Sequence, residues 1–259
     1  MAQFNISFAG AGRVGGALCR ELYSAGHNIG LIVSESDGNG KLLADYCKAS
    51  WSKDLIFPES TEVLIVAVPD HKLKNVLGKI SCNPGTLVVH TAGSFGTDVF
   101  PDQIERRGIL YPLQTFSGKR KVVFKDLPFF IESSDKQSLS VLEKLTESVG
   151  GKVYFADSEC RRMLHLAAVF ACNFTNHMLT IGKELTLKTG FPFDVLQPLI
   201  QETISKALDL GPENSQTGPA VRNDQNTIEK HLELLSFSPE LRRIYIEMTR
   251  SVIEYYQKH

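Results

Sequence analysis

Gly10-Ala11-Gly12-Arg13-Val14-Gly15 has the spacing G-x-G-x-x-G, and the chemistry that suits it is recognition of a pyrophosphate. Gly10 permits a tight turn, Gly12 lets the backbone approach the phosphates, and Gly15 lets a helix pack closely on a strand. A helix opening at Val14 would aim free N–H groups and the positive end of its dipole at the same anion. About 20 residues on, where the adenosine ribose of a dinucleotide is read, stand Ser34-Glu35-Ser36. Glu35 suits a ribose 2′-hydroxyl and so NAD; Ser34 and Ser36, helped by Arg13, suit a 2′-phosphate and so NADP. Both choices stay open. Val68-Pro69 and His90-Thr91-Ala92 follow two later apolar runs, so Val68, Pro69, His90 and Ala92 are the candidate contacts to the rest of the cofactor.

The second half of the chain offers a different set. A long helical pattern spans 158–188, some 45 Å at about 1.5 Å per residue. Its middle is apolar nearly all round, as in a helix buried by neighbours on every side. His165, Cys172, Asn173, Asn176, Thr180 and Lys183 interrupt it within an arc of roughly 80°. Buried polar groups need partners, so the stripe predicts a shared polar pocket. Further on, Arg222 has the planar fork that matches a carboxylate or phosphate. Asp224 either orients it or caps the helix that begins near Gln225. His231, seven residues beyond Asp224, falls on the same helix face.

The elements that must position these residues follow from the hydrophobic pattern. Short β-rich runs at 6–9, 29–33, 63–68, 87–91, 109–111, 129–131 and 152–155 alternate with helical patterns at 14–25, 40–48, 72–79 and 136–149. That alternation predicts an α/β fold with a doubly wound parallel sheet over residues 1–156. Residues 157–259 read as an all-α domain, with helices at 158–188, 193–210, from about 225, and 238–256. A loop-rich linker runs over 211–219.

Composition narrows the class. The chain has 259 residues, with 28 Lys and Arg against 29 Asp and Glu, and hydrophobic residues at 42%. A nucleic-acid partner would ask for a basic excess, and there is none. The 5 cysteines are odd in number and widely spaced, so neither a disulfide framework nor a metal site is expected. No run approaches the roughly 18 apolar residues of a membrane span, and no leader is evident. A cytoplasmic protein is the expectation. The apolar helix at 163–181 exceeds what so small a helical domain can enclose, which predicts a homodimer through that domain.

Phe8 to Gly15, Ala25-Gly26-His27 and Ala67-Val68-Pro69-Asp70 resemble the NAD(P)-binding domains of the 6-phosphogluconate dehydrogenase-like group. Three further segments narrow the resemblance: His90-Thr91-Ala92-Gly93-Ser94, Tyr111-Pro112-Leu113-Gln114-Thr115-Phe116-Ser117, and Thr217 to Asp224 with His231 beyond. Together they look like the NADP oxidoreductase family that joins a Rossmann-like domain to a helical domain of unknown function, number 2520. The resemblance covers nearly the whole chain. It implies a Rossmann-like sheet, a 6-phosphogluconate dehydrogenase C-terminal-like helical domain and use of NADP or NAD. It also implies a small polar substrate in the interdomain cleft, a carbonyl, hydroxy compound or imine.

Two positions depart from the family pattern: Asn223 stands where glycine is expected, and Glu35 where a basic residue is common. In the related dehydrogenases a lysine and an asparagine on the first helix of the second domain flank the nicotinamide. Here that helix offers His165 and Asn173, which makes His165 the candidate general acid and Asn173 the orienting group. Tyr111, Gln114, Arg222, Asp224 and His231 are the candidate substrate contacts. The missing lysine keeps an alternative in view, a non-catalytic dinucleotide sensor or scaffold.

Overall fold

The computed structural model describes residues 3–118 and 120–258. It contains an 8-stranded sheet in the order β3-β2-β1-β4-β5-β6-β7-β8. The strands are β1 (Asn5–Ala9), β2 (Asn28–Val33), β3 (Ser50–Ser52), β4 (Val63–Val66), β5 (Leu87–His90), β6 (Arg107–Pro112), β7 (Pro128–Ser133) and β8 (Lys152–Phe155). The order reverses at β1, which lies between β2 and β4, so the switch point sits beside the glycine-rich turn. Four helices accompany the sheet: α1 (Arg13–Ser24), α2 (Asp37–Cys47), α3 (Asp70–Leu77) and α4 (Lys136–Ser148).

Both faces of the sheet are buried, and the strands show why. In β4, all of Val63–Val66 is inaccessible to solvent, with side chains alternating between two cores. Ile6, Phe8, Ile65 and Val89 meet Leu18 and Leu22 of α1 on one side. Ala9, Leu64, Val66 and Val88 meet Leu73 and Leu77 of α3 on the other. Burying each such aliphatic side chain contributes about 1.5–3 kcal/mol, so the two cores fix the C-terminal strand edges firmly.

The sheet departs from the sequence expectation in two places. Strands β6 and β7 pair antiparallel, Gly108 with Ser133 through Pro112 with Phe129. A parallel neighbour needs a crossover helix, and the described residues of 113–127 contain none. The short strand β3, Ser-Trp-Ser, carries no apolar run that sequence periodicity could detect.

After β8 the chain is helical: α5 (Ser158–Ala168), a π-helical segment Val169–Phe174, α6 (Thr175–Lys188), a 3-10 turn Phe193–Leu196, α7 (Gln197–Leu210), α8 (Pro212–Ser215), α9 (Gln225–Leu234) and α10 (Pro239–Lys258). The short α8 falls inside the stretch expected to be loop. The chain divides into two units, Met1–His177 and Met178–His259.

The helix expected to be buried on all sides is not. Among the described residues from 158 to 258 only Arg161, Ile228 and Leu235 are buried, while Met163, Leu166, Phe170 and Phe174 stand exposed. The predicted polar stripe also loses its register. Six residues of i→i+5 winding break the 100° wheel between His165 and Asn176, and Cys172 and Asn173 face solvent.

Candidate functional site

The glycine turn is built as its spacing demands. Gly10 has φ +109°, and a Cβ there would lie 2.3 Å from the Ala67 carbonyl oxygen. A Cβ on Gly15 would lie 2.3 Å from the Gly10 carbonyl oxygen, so helix α1 can approach the turn only with glycine at that point. Gly12 differs: nothing lies within 4 Å of its missing side chain. Helix α1 starts at Arg13 with no side-chain cap and no acidic residue in its first turn. Its first N–H groups and the positive dipole end are therefore available to an anion. Val14 continues that first turn, and Ala11 and Arg13 border a cavity of about 590 Å³. Arg20, Arg120 and Lys121 share its wall with Glu21, leaving cations in excess.

Beyond β2, Ser34 is already committed. Its hydroxyl accepts from Trp51 Nε1 at 3.0 Å and donates to the Ser36 carbonyl at 2.9 Å. Glu35 is exposed and its carboxylate meets Lys72 Nζ at 2.6 Å, which holds its carboxyl below the ordinary range. Val68 is half-buried, and Pro69 is the residue from which α3 starts.

His90 ends β5 fully buried, stacked on Phe100 with ring centroids 5.3 Å apart. Its Nδ1 accepts from Ala92 N at 3.2 Å and its Nε2 donates to the Gly96 carbonyl at 3.4 Å. Both nitrogens thus shape the loop that follows the strand, and the ring is neutral with its proton on Nε2. Burial pushes its pKa down to about 4. In the unfolded chain the ring titrates near 6.5, so the unfolded state takes up the proton first as pH falls. Stability should decline from pH 6.5 to 4, by about 3 kcal/mol at about 1.4 kcal/mol per pH unit. Urea unfolding at pH 7 and pH 4.5 checks this, with a smaller difference expected for His90→Asn. His27, also lowered by burial, adds a common background in both proteins.

The loop shaped by His90 lies against the reactive candidates, Tyr111 of β6 and His165 of α5. The Tyr111 hydroxyl and His165 Nδ1 share a hydrogen bond at 3.1 Å, its donor set by the imidazole tautomer. Gly93 lies against both: a Cβ there would be 2.7 Å from Tyr111 Cζ and 2.9 Å from His165 Nδ1. Ser94 Oγ donates to the Asp70 carboxylate at the start of α3. Burial raises the Tyr111 phenol, as does Asp70, while Arg161 opposes them.

Arg161, four residues before His165, is inaccessible to solvent. Its NH1 donates to Glu132 Oε2 at 2.6 Å and its NH2 to the Phe95 carbonyl at 2.8 Å. It therefore ties α5, the end of β7 and the loop after β5 into one node. The sequence reading missed Arg161 and Glu132, and gave no role to Asp70 and Ser94 within the loops it singled out. The available signal was the i, i+4 spacing of Arg161 and His165, which puts them on one helix face.

The remaining candidates are placed separately. Asn173 is exposed on the π-helical segment, and Gln114 is exposed with its Oε1 accepting from Thr115 N at 2.8 Å. In the second unit, Asp224 caps α9, accepting from Thr227 N at 3.1 Å and from Thr227 Oγ1 at 2.8 Å. His231 Nδ1 bonds the Tyr245 hydroxyl at 2.8 Å. Arg222 is exposed in the turn before them. Asn223 has φ +51°, a left-handed conformation that favours glycine and that asparagine tolerates.

The Rossmann-like domain family matches residues 1–115, and the family of domains of unknown function DUF2520 matches residues 127–252. A crystal structure from Bacteroides fragilis, described as a candidate NADP oxidoreductase, is 38% identical. It covers 97% of this chain and 98% of its own, with a TM-score of 0.89. A Thermotoga maritima protein is 24% identical with a TM-score of 0.71, the alignment covering 98% of each chain. An imine reductase from a Pseudomonas species is 16% identical with a TM-score of 0.68, over 99% of this chain and 93% of that one. These last two share the fold. No curated protein matches.

Proposed function

The chain belongs to the family in which a Rossmann-like domain precedes a DUF2520 domain, and from that premise we propose that it is a nicotinamide-dependent oxidoreductase. It transfers a hydride between NADP or NAD and a small polar carbonyl, hydroxy compound or imine. The observation that carries this reading is the open glycine turn over an uncapped α1, in the same sheet whose β6 brings Tyr111 to His165. The donor set fits a dinucleotide. Gly12 leaves room for the pyrophosphate, the first turn of α1 offers N–H donors, and Arg13 adds a cation. When bound, the cofactor supplies the hydride. The chain's own residues orient the substrate and manage its proton, with His165 as the acid.

The helical residues favour a second copy of the chain as partner. Phe191, Leu199, Leu208, Leu210 and Phe237 are each more than half exposed. Burial this sparse cannot offset the conformational entropy of ordering so many residues. A homodimer covering these faces resolves the deficit.

One experiment tests both. Purified full-length protein is titrated with NADPH, NADH, NADP and NAD by calorimetry, with light scattering on the same sample. Micromolar binding of at least one dinucleotide is expected, followed by its oxidation with a panel of carbonyls and imines. No binding by any of them sinks the cofactor claim; binding without turnover across the panel favours the sensor alternative. A mass of 28.7 kDa at micromolar concentration contradicts the dimer.

A further inference from the structure

We propose that Tyr111 delivers the proton to the reduced substrate, with His165 behind it as proton source and Arg161 as the positioning residue of the pair. The inference rests on the oxidoreductase reading and goes beyond it by dividing one acid between two residues.

The geometry commits one nitrogen of each possible donor route. His165 Nδ1 faces the Tyr111 hydroxyl at 3.1 Å, so any proton shared between them moves along that contact. The backbone of Gly93 lies against both groups, at the carboxyl edge of β5 where open α/β sheets bind their ligands. When the substrate carbon receives a hydride from the dihydronicotinamide, its oxygen or nitrogen takes the electron pair of the former double bond. The Tyr111 O–H bond breaks as a new O–H or N–H bond forms on the substrate. The Nδ1–H bond of the His165 imidazolium breaks as the phenol is remade. The substrate gains a hydride from the dihydronicotinamide and a proton from the pair, and both protein groups end neutral.

The opposite order fares worse. A neutral His165 releasing its Nε2 proton, with Tyr111 refilling Nδ1, would leave a phenolate in a site that disfavours it. Burial and the Asp70 carboxylate both resist that charge, and Arg161 compensates only in part. The charged and titratable groups around the pair are Asp70 of α3, Arg161 of α5 with Glu132 of β7, and the neutral His90 of β5, itself near Asp98.

Arg161 acts on the pair indirectly. It holds the Phe95 carbonyl, two residues from Gly93, and stands one helical turn before His165. Losing it would let the loop and α5 move independently.

The test uses the full-length protein labelled with ¹³Cζ-tyrosine. The Tyr111 resonance, identified by its loss in Tyr111→Phe, is followed by NMR from pH 5 to 9. It is expected to step at the same midpoint as the His165 ring, and His165→Gln should remove the step. Arg161→Lys should keep the shared midpoint, while Glu132→Gln should shift or blunt it. With the best substrate of the panel, Tyr111→Phe should lower kcat at least about 100-fold, with dinucleotide Kd changed less than about twofold. A Tyr111 signal blind to His165, or turnover retained in Tyr111→Phe, overturns the proposal. Absence of dinucleotide binding instead overturns the oxidoreductase reading, and the titration still decides whether the pair is coupled.

Discussion

Gly12→Ala is expected to weaken dinucleotide binding at least about 100-fold, a loss of about 2.8 kcal/mol, while leaving the fold intact. Gly12 has φ −74° and ψ −163°, which alanine adopts readily, and its missing Cβ meets nothing within 4 Å. The only folding cost is that of placing alanine at a helix N-cap, below about 1 kcal/mol relative to glycine. A methyl group here would occupy the space that lets phosphate oxygens reach the first N–H groups of α1. The neighbouring glycines behave oppositely. Gly10→Ala drives a Cβ into the Ala67 carbonyl from a left-handed backbone, and Gly15→Ala drives one into the Gly10 carbonyl. Both contacts are with backbone, which cannot swing aside, so these two variants should lose stability before binding is measurable. Urea unfolding and calorimetry on Gly12→Ala decide the matter. Wild-type affinity in a folded variant would show that the turn does not hold the pyrophosphate.

The fold was legible because its signals are local. The G-x-G-x-x-G spacing, the unbroken run at Val63–Val66 and the amphipathic α1 each fall within a dozen residues. The antiparallel β6–β7 pairing was not, because the choice depends on what connects the strands, and 113–127 gives no periodic pattern. The site divides the same way. His165 stood out as a polar interruption in an apolar helix, but its partner did not. Tyr111 meets it only because β6 ends where α5 passes, a contact across 54 positions of sequence. The polar stripe lost its 100° register for a local reason that propensity does not encode, the π winding from Val169 to Phe174. His90 illustrates a subtler limit. Its place at a strand end suited either ligand contact or a histidine satisfied by backbone groups, and both its nitrogens do meet the Ala92–Gly96 backbone. Residue type and position say where a histidine stands, not which atoms reach it first.

Arg161→Met is expected to cost about 3 kcal/mol of stability, and Glu132→Ala more, toward about 5 kcal/mol. The two sides of this ion pair are unequal. Glu132 retains 21% side-chain exposure, so water can solvate it when the arginine is gone. Arg161 has none, and without Glu132 its charge would stay sealed in the protein with only carbonyls and Ser158 for partners. It is already under-satisfied, since Nε is buried without a hydrogen-bond partner. Removing both charges removes the desolvation cost of both, so Arg161→Met with Glu132→Met should come within about 1–2 kcal/mol of wild type. A double-mutant cycle by urea unfolding measures the coupling. If the single variants match and simply add, the pair is a packing contact and Arg161 has no claim to hold the loop. If the cycle shows strong coupling and the double variant is stable yet loses the shared Tyr111–His165 titration, then the buried charge has been kept at a cost in stability. What it would secure is the register of α5 against the loop at Gly93, the one place where the tyrosine and histidine meet.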